Sequence, residues 1–236
     1  GKWSRPNYNS AVATFCYNIA RGLPITVNHS DAQLNLIYID DVCNLFISAI
    51  KGELARDDEG YAEAKPSYKT TVGFVAALIR RFRDDRESLY LPSSSDELEL
   101  KLYSTYLSFL PEEGFSYYPK MNIDARGSFT ELFRTAERGQ VSVNITKPGV
   151  TKGNHWHHTK NEKFVVVSGE GVIKFRGVDQ ADSFEYKVSG KRIEIVDIPA
   201  GYTHSITNTG AEDLVTIMWS NECFDPDKPD TYYLEV

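Results

Sequence analysis

The 236-residue chain is 41% hydrophobic and 25% charged, with 16 glycines and 10 prolines, a balance that suits one or two folded domains and excludes disordered and fibrous classes. Apolar runs stay well short of the roughly 18 residues that span a bilayer, and no basic segment followed by an apolar core opens the chain, so neither a membrane span nor a secretory signal is expected and a cytoplasmic location is the default. A net charge of −7 without a clustered basic face excludes nucleic-acid binding as the function. Cys16, Cys43 and Cys223 are odd in number and lack CxxC spacing, so they predict neither a disulfide framework nor a thiolate zinc site and read as small buried residues. The chain opens Gly1-Lys2-Trp3 and has only Met121 and Met218, so it is expected to be a fragment of a longer protein.

The first half reads as helical. Asn9 and Ser10 can cap a helix with Val12, Phe15, Cys16 and Ile19 inward, stopped at Gly22. Leu34 to Ile39 reads as a buried strand. Asp40 and Asp41 are placed to cap a helix whose buried stripe is Val42, Leu45, Phe46, Ala49 and Ile50, ending at Gly52. Two more helices are predicted. One runs from Thr71 to Arg86, with Phe74, Val75, Leu78, Ile79 and Phe82 inward; the other runs from about Ser95 to Leu110, with Leu98, Leu102, Tyr103 and Tyr106 inward. Pro111 and Gly114 end the last of them.

From about residue 122 the period changes to two. Val141–Ile145, Phe164–Val167, Val172–Phe175, Phe184–Tyr186, Ile193–Ile198, Ser205–Thr207 and Leu214–Trp219 are short β-rich runs separated mostly by Gly, Pro, Asn or Asp, a density that predicts a sandwich or barrel. The boundary between the halves is placed at Pro119–Asn122, giving domains 1–120 and 121–236.

His155 and His157 stand two apart, so on a strand both project to one side while Trp156 and His158 project to the other. Glu162 can return to the same centre through a turn, and His204 lies in a second stretch, Pro199 to Asn208. Three imidazoles and a carboxylate suit Zn²⁺ or another divalent ion. Both stretches resemble the two cupin motifs, G-x5-HxH-x4-E-x6-G from Gly149 to Gly169 and PxG-x2-H-x3-N from Pro199 to Asn208, with Ile193 the one departure where a glycine usually opens the second motif. The resemblance implies a double-stranded β-helix with His155, His157, Glu162 and His204 as metal ligands.

Asp124-Ala-Arg126-Gly-Ser-Phe129-Thr-Glu131 resembles the leading strand of nucleotide-sugar 3,5-epimerases, which implies substrate binding by Arg126, Phe129 and Glu131. In the same alignment Lys152 stands at a substrate-binding arginine, Lys163 at the active-site lysine, and His155 at the catalytic base, a role that conflicts with ligation. Tyr202 is a candidate proton carrier or a packing residue.

Leu36-Ile-Tyr-Ile-Asp40-Asp41-Val resembles the C-terminal part of extended short-chain dehydrogenases, a Rossmann-type fold, with Leu34 where an arginine often grips phosphate. Their glycine-rich dinucleotide loop is absent from these residues. Tyr61-Ala-Glu-Ala-Lys65 matches their Tyr-x3-Lys pair by spacing, but its place after the Asp-Asp strand makes the match a coincidence. The fold class expected is therefore α+β in two parts, a mainly helical dehydrogenase remnant followed by an all-β cupin. This pairing resembles the bifunctional capsular-polysaccharide enzymes of the CapF family across essentially the whole chain. The resemblance implies C3 epimerisation of a UDP-2-acetamido-2,6-dideoxy-4-hexulose by the cupin on the way to UDP-N-acetyl-L-fucosamine, NADPH-dependent 4-keto reduction confined to the full-length parent, and a bacterial homodimer. A metal-dependent dioxygenase and a non-catalytic sugar-binding module are the competing readings.

Overall fold

A computed structural model describes residues 1–236, a mixed α/β chain of four α-helices and thirteen strands. The chain divides into two compact units, Gly1–Ser88 with Pro92–Tyr117, and Leu89–Leu91 with Tyr118–Val236. The first unit closes at Tyr117, slightly before the expected Pro119–Asn122 break. No helix is long and apolar enough to cross a membrane.

In the first unit α1 (Ala11–Ala20) starts where the Ser10 hydroxyl accepts the Ala13 N–H at 3.1 Å, and Gly22 follows its end at φ +66°. Strand β1 (Gln33–Leu36) pairs antiparallel with β2 (Tyr68–Thr71) in a two-stranded ribbon, with the helix α2 (Ile39–Lys51) between them in sequence. β1 ends three residues sooner than expected and alternates exposed with half-buried positions, so the buried strand through Ile39 is corrected to an edge ribbon. Helix α3 (Val72–Ser88) and helix α4 (Glu97–Leu107, capped by Asp96 accepting the Glu99 N–H at 3.0 Å) complete the unit. Phe15, Ile19, Ile79, Phe82, Leu102 and Tyr106 from α1, α3 and α4 form its core.

Two helix-face expectations fail. Helix α2 buries no residue at all; Phe46 is 66% and Ile50 86% exposed, and Asp40 and Asp41 sit inside its first turn while Tyr38 takes the cap position. Phe74 on α3 is likewise exposed. Periodicity identifies an apolar stripe but not whether a neighbour covers it. Cys43, on α2, is exposed and not a core residue, whereas Cys16 is buried and its thiol is pushed up to about 12 by burial. At pH 8 such a thiol is ionised only to roughly one part in ten thousand, so alkylation of the folded protein should modify Cys43 and spare Cys16, as peptide mass mapping will read. Equal labelling of both would contradict the buried placement.

The second unit holds eleven strands: β3 (Met121–Asp124), β4 (Gly127–Thr135), β5 (Gly139–Thr146), β6 (Thr151–Trp156), β7 (Glu162–Ser168), β8 (Glu170–Gly177), β9 (Ser183–Ser189), β10 (Ile195–Ile198), β11 (Tyr202–Asn208), β12 (Leu214–Ser220) and β13 (Tyr232–Tyr233). Six form one sheet in the order β10-β7-β12-β5-β4-β3, and five form the other in the order β13-β6-β11-β8-β9. Phe164, Val166, Val196, Ile198 and Leu214 from the first sheet and Ile173, Phe175, Val188 and Ile206 from the second share one core, so the sheets face each other. The apolar run expected to start at Ile193 becomes strand only at Ile195, and Ile193 is 57% exposed.

The inner wall is not apolar throughout. On β5 the buried side chains are Gln140, Ser142, Asn144 and Thr146, while Val141, Val143 and Ile145 alternate with them on the opposite face. Thr216 and Ser220 of β12 pair with Asn144 and Gln140 and extend this polar wall. The Thr216 hydroxyl is buried without a hydrogen-bond partner.

Candidate metal centre

One ligand atom from each of His155, His157, Glu162 and His204 lies within 4.8 Å of the others, close to the spacing of atoms sharing one cation at bonds of about 2.0–2.2 Å. Their placement follows from strand register. His204 of β11 stands opposite His155 of β6, and β11 also pairs with β8, where Phe175 is buried beside the imidazole. His157 follows β6 directly, and Glu162 opens β7 after a short turn.

A β-bulge makes this set meet Lys152. Ser205 pairs with Gly153 and His204 with His155, so Asn154 is an extra residue in β6. Three residues apart on a regular strand, Lys152 and His155 would face opposite ways; the bulge turns both inward. Gly153 at φ +106° and Asn154 at φ +57° take the backbone there. A Cβ on Gly153 would lie 2.7 Å from the His204 carbonyl oxygen, which explains glycine at this position.

The donor chemistry fits a divalent cation. Oε2 of Glu162 lies 3.3 Å from Nε2 of His157 and 3.3 Å from Nε2 of His204, yet the His204 nitrogen is buried without a hydrogen bond. The His204 nitrogen is thus left free to face a cation, while the His157–Glu162 contact is a long hydrogen bond that a cation would replace. Backbone carbonyls orient two of the rings from behind: Nδ1 of His157 donates to Asp230 at 2.5 Å and Nδ1 of His204 to Tyr202 at 3.4 Å, which frees each Nε2 for ligation.

Burial, assisted by the neighbouring His204, pushes His155 down to about 4, so it stays neutral. Burial acts against charge on His157, but hydrogen bonds to Glu162 and Asp230 outweigh it and hold its pKa above the ordinary imidazole value. Burial would raise Glu162, but His157 and His204 hold it well below the usual carboxylate range. A proton on His157 therefore competes with a cation. Affinity for zinc should be level above the raised His157 pKa and fall about tenfold per pH unit below it. A chelator competition series through that range reads the slope, and a flat profile would remove His157 from the set. The metal-free fold has the opposite sign: its contribution from His157 is full below the unfolded pKa and is lost as pH rises through the folded one.

The other expected site residues divide. Glu131 and Phe129 lie on the inner face, opposite Ser142 and Asn144 in register. The Lys152 ammonium donates to Oδ1 of Asn144 at 2.8 Å and to the Ile145 carbonyl at 2.9 Å, against the same wall. Arg126 sits at the exposed β3–β4 turn, with Nη2 2.6 Å from Asp124. Tyr202 is on the His204 face and its ring lies beside Phe184 at 6.3 Å.

Lys163 is a correction. It follows Glu162 on β7, so it projects from the outer face and pairs with Asp197 of β10 there. Neighbouring positions of a regular strand face opposite ways, so Glu162 and Lys163 cannot both reach the inner face. His158 points away as expected, against Trp156 and Tyr232.

Two groups escape sequence reasoning. Arg134, whose Nη2 holds Oε2 of Glu131 at 2.6 Å, reaches the inner face through a second bulge between Glu131 and Phe133. Asp230 lies in Asp225-Pro-Asp-Lys-Pro-Asp230, a stretch without periodicity, and nothing local signals its contact with His157.

Comparison with known proteins agrees with this architecture. Residues 122–232 match the polysaccharide biosynthesis C-terminal domain family. Over all 236 residues the chain is 47% identical to the UDP-2-acetamido-2,6-beta-L-arabino-hexul-4-ose reductase of Pseudomonas aeruginosa and spans 63% of that protein's length. A shorter likeness, 26% over 117 residues, covers 45% of this chain and 78% of the spore coat polysaccharide biosynthesis protein SpsL of Bacillus subtilis. The crystal structure of the capsular polysaccharide assembling protein CapF from Staphylococcus aureus superposes with a TM-score of 0.96 at 55% identity, covering 100% of this chain and 68% of that one. With this identity running the full length of a shared fold, the chain belongs to the CapF family of capsular polysaccharide assembly proteins.

Proposed function

We propose that the second unit is a metal-dependent cupin epimerase that inverts C3 of a UDP-2-acetamido-2,6-dideoxy-4-hexulose. The observation that carries this reading is the convergence of His155, His157, Glu162 and His204 beside a buried polar wall in a chain of this family. A hydrogen next to a 4-keto group is acidic because its loss gives an enolate, so inversion needs an electrophile at the ketone oxygen, a base, and a proton donor on the other face. A divalent cation, when bound, supplies Lewis-acid polarisation of that oxygen. The chain's own residues bind and orient the substrate and supply one of the two proton-transfer groups. Lys152, Phe129 and Glu131, with Arg126 at the rim, hold the nucleotide half of the substrate. Ser142, Asn144 and Thr216 offer hydroxyl and amide groups to the sugar. Tyr202, on the His204 face, is the proposed proton carrier. His155 serves as a ligand in place of the base role that its alignment implies.

The first unit is proposed to be the C-terminal part of an extended short-chain dehydrogenase domain. NADPH-dependent reduction of the 4-ketone then belongs to a dinucleotide-binding part that these residues do not include. The UDP-keto-sugar and a second copy of the chain are the proposed partners.

Incubation of the purified protein with the keto-sugar in heavy water tests the reading. One deuteron should enter at C3, seen by NMR and as one added mass unit. Tight sugar binding with no exchange would instead assign a binding module, and bound iron with sugar-dependent oxygen uptake an oxygenase. Within the proposal, Arg126→Ala should raise KM far more than it lowers kcat, because the side chain meets only the non-reacting half of the substrate. An unchanged KM would remove Arg126 from the site.

A further inference from the structure

We propose that the C-terminal segment from Pro229 onward is a clamp on the metal centre, with Asp230 as the positioning residue that sets two of its ligands. The inference rests on the metal-binding reading above.

The segment lies along the strand that carries the ligands. β13 pairs antiparallel with β6, Tyr232 opposite Trp156 and Tyr233 opposite His155. Beyond it the Leu234 N–H donates to the Asn154 carbonyl at 3.0 Å, on the bulge residue itself. The Leu234 carbonyl accepts from the hydroxyl of Thr203, which is fully buried and next in sequence to His204. The tail is therefore fastened at both sides of the His155–His204 contact.

Asp230 acts through two different groups. Its carbonyl oxygen accepts the Nδ1 proton of His157 at 2.5 Å, which fixes the tautomer and aims Nε2 at the centre. Its carboxylate accepts the successive backbone N–H groups of His158 at 2.9 Å, Thr159 at 3.0 Å and Lys160 at 3.0 Å, and the Thr159 hydroxyl at 3.2 Å. Those residues form the turn that joins His157 to Glu162. A turn whose amides converge on one anion has little freedom, so the separation of the two ligands is fixed by a residue about 70 positions away in sequence. The backbone of Asp230 takes φ +39°, a conformation that Asp adopts more readily than most residues and that presents both groups to the same turn.

The test compares zinc affinity by chelator competition, and the visible spectrum of the cobalt-substituted protein, for the wild type and three variants. Asp230→Ala keeps the main-chain carbonyl that meets His157 but removes the carboxylate that gathers the turn amides, so it should weaken zinc binding by about tenfold and should change the cobalt ligand-field bands. Asp230→Asn keeps the carbonyl and an accepting oxygen, so it should stay within about threefold of wild type with an unchanged spectrum. If Asp230→Ala does not fold, Thr203→Val loosens the tail by a single hydrogen bond and should still lower affinity severalfold. Wild-type affinity and spectrum in both Asp230→Ala and Thr203→Val would overturn the clamp while leaving the metal centre standing. A wild-type protein that binds neither zinc nor cobalt would overturn the metal-binding reading and the clamp together.

Discussion

His157→Ala should abolish stoichiometric metal binding. The ligand atoms of four residues converge within 4.8 Å, and deleting His157 leaves Glu162 facing a void on one side, with only His155 and His204 to complete the set. Affinity should fall by at least about a hundredfold, because a ligand is lost together with the ring that Asp230 orients. Elemental analysis after gel filtration should find about one divalent ion per wild-type chain and none per variant. The wild-type melting temperature should drop on adding a chelator, and the variant's should not. Full metal retention by the variant would show that these side chains meet for another reason.

Gly153→Ala should be as damaging from a position that donates no ligand. At φ +106° an alanine is strained wherever it sits, and its Cβ would also meet the His204 carbonyl oxygen at 2.7 Å and the Ser205 Cα at 2.8 Å. Strain of this kind is worth roughly 1–3 kcal/mol before the clash is counted, so an overall loss of at least about 3 kcal/mol is expected. The strand can escape only by expelling the bulge. That would restore the simple alternation of β6 and turn either Lys152 or His155 out of the barrel. Chemical denaturation reads the stability loss, and metal analysis reads which residue left. A variant of unchanged stability and metal content would mean that the bulge is not required.

The convergence of His155, His157, Glu162 and His204 was legible because its signal is local: two histidines at strand spacing, a carboxylate one turn later, and a second histidine-bearing motif. Cap residues were legible for the same reason, as Ser10 and Gly22 show. What depends on distant partners was not. Helix α2 carries an apolar stripe as regular as that of α3, but only α3 is covered. Alternation identified β5 as a strand without telling which side faces inward, and its valines and isoleucine lie on the outer side. Family likeness placed Lys163 at the site, and the parity of a strand beginning at Glu162 sends it out. The role of Asp230 depends on a contact that closes about 70 residues of chain, which no local pattern encodes.

The asymmetry of the barrel lining separates two tasks that most cores must combine. Folding free energy comes chiefly from the arc of Phe164, Val166, Ile173, Phe175 and their neighbours, where each lost methylene is felt. The arc of Gln140, Ser142, Asn144 and Thr216 buries polar groups instead of hydrocarbon. Asn144 holds the Lys152 ammonium and Gln140 accepts the Phe224 N–H, so both are tied into the fold; under the proposed function it is at Ser142 and Thr216 that sugar selectivity can change while the hydrocarbon arc and the His/Glu cluster stay as they are.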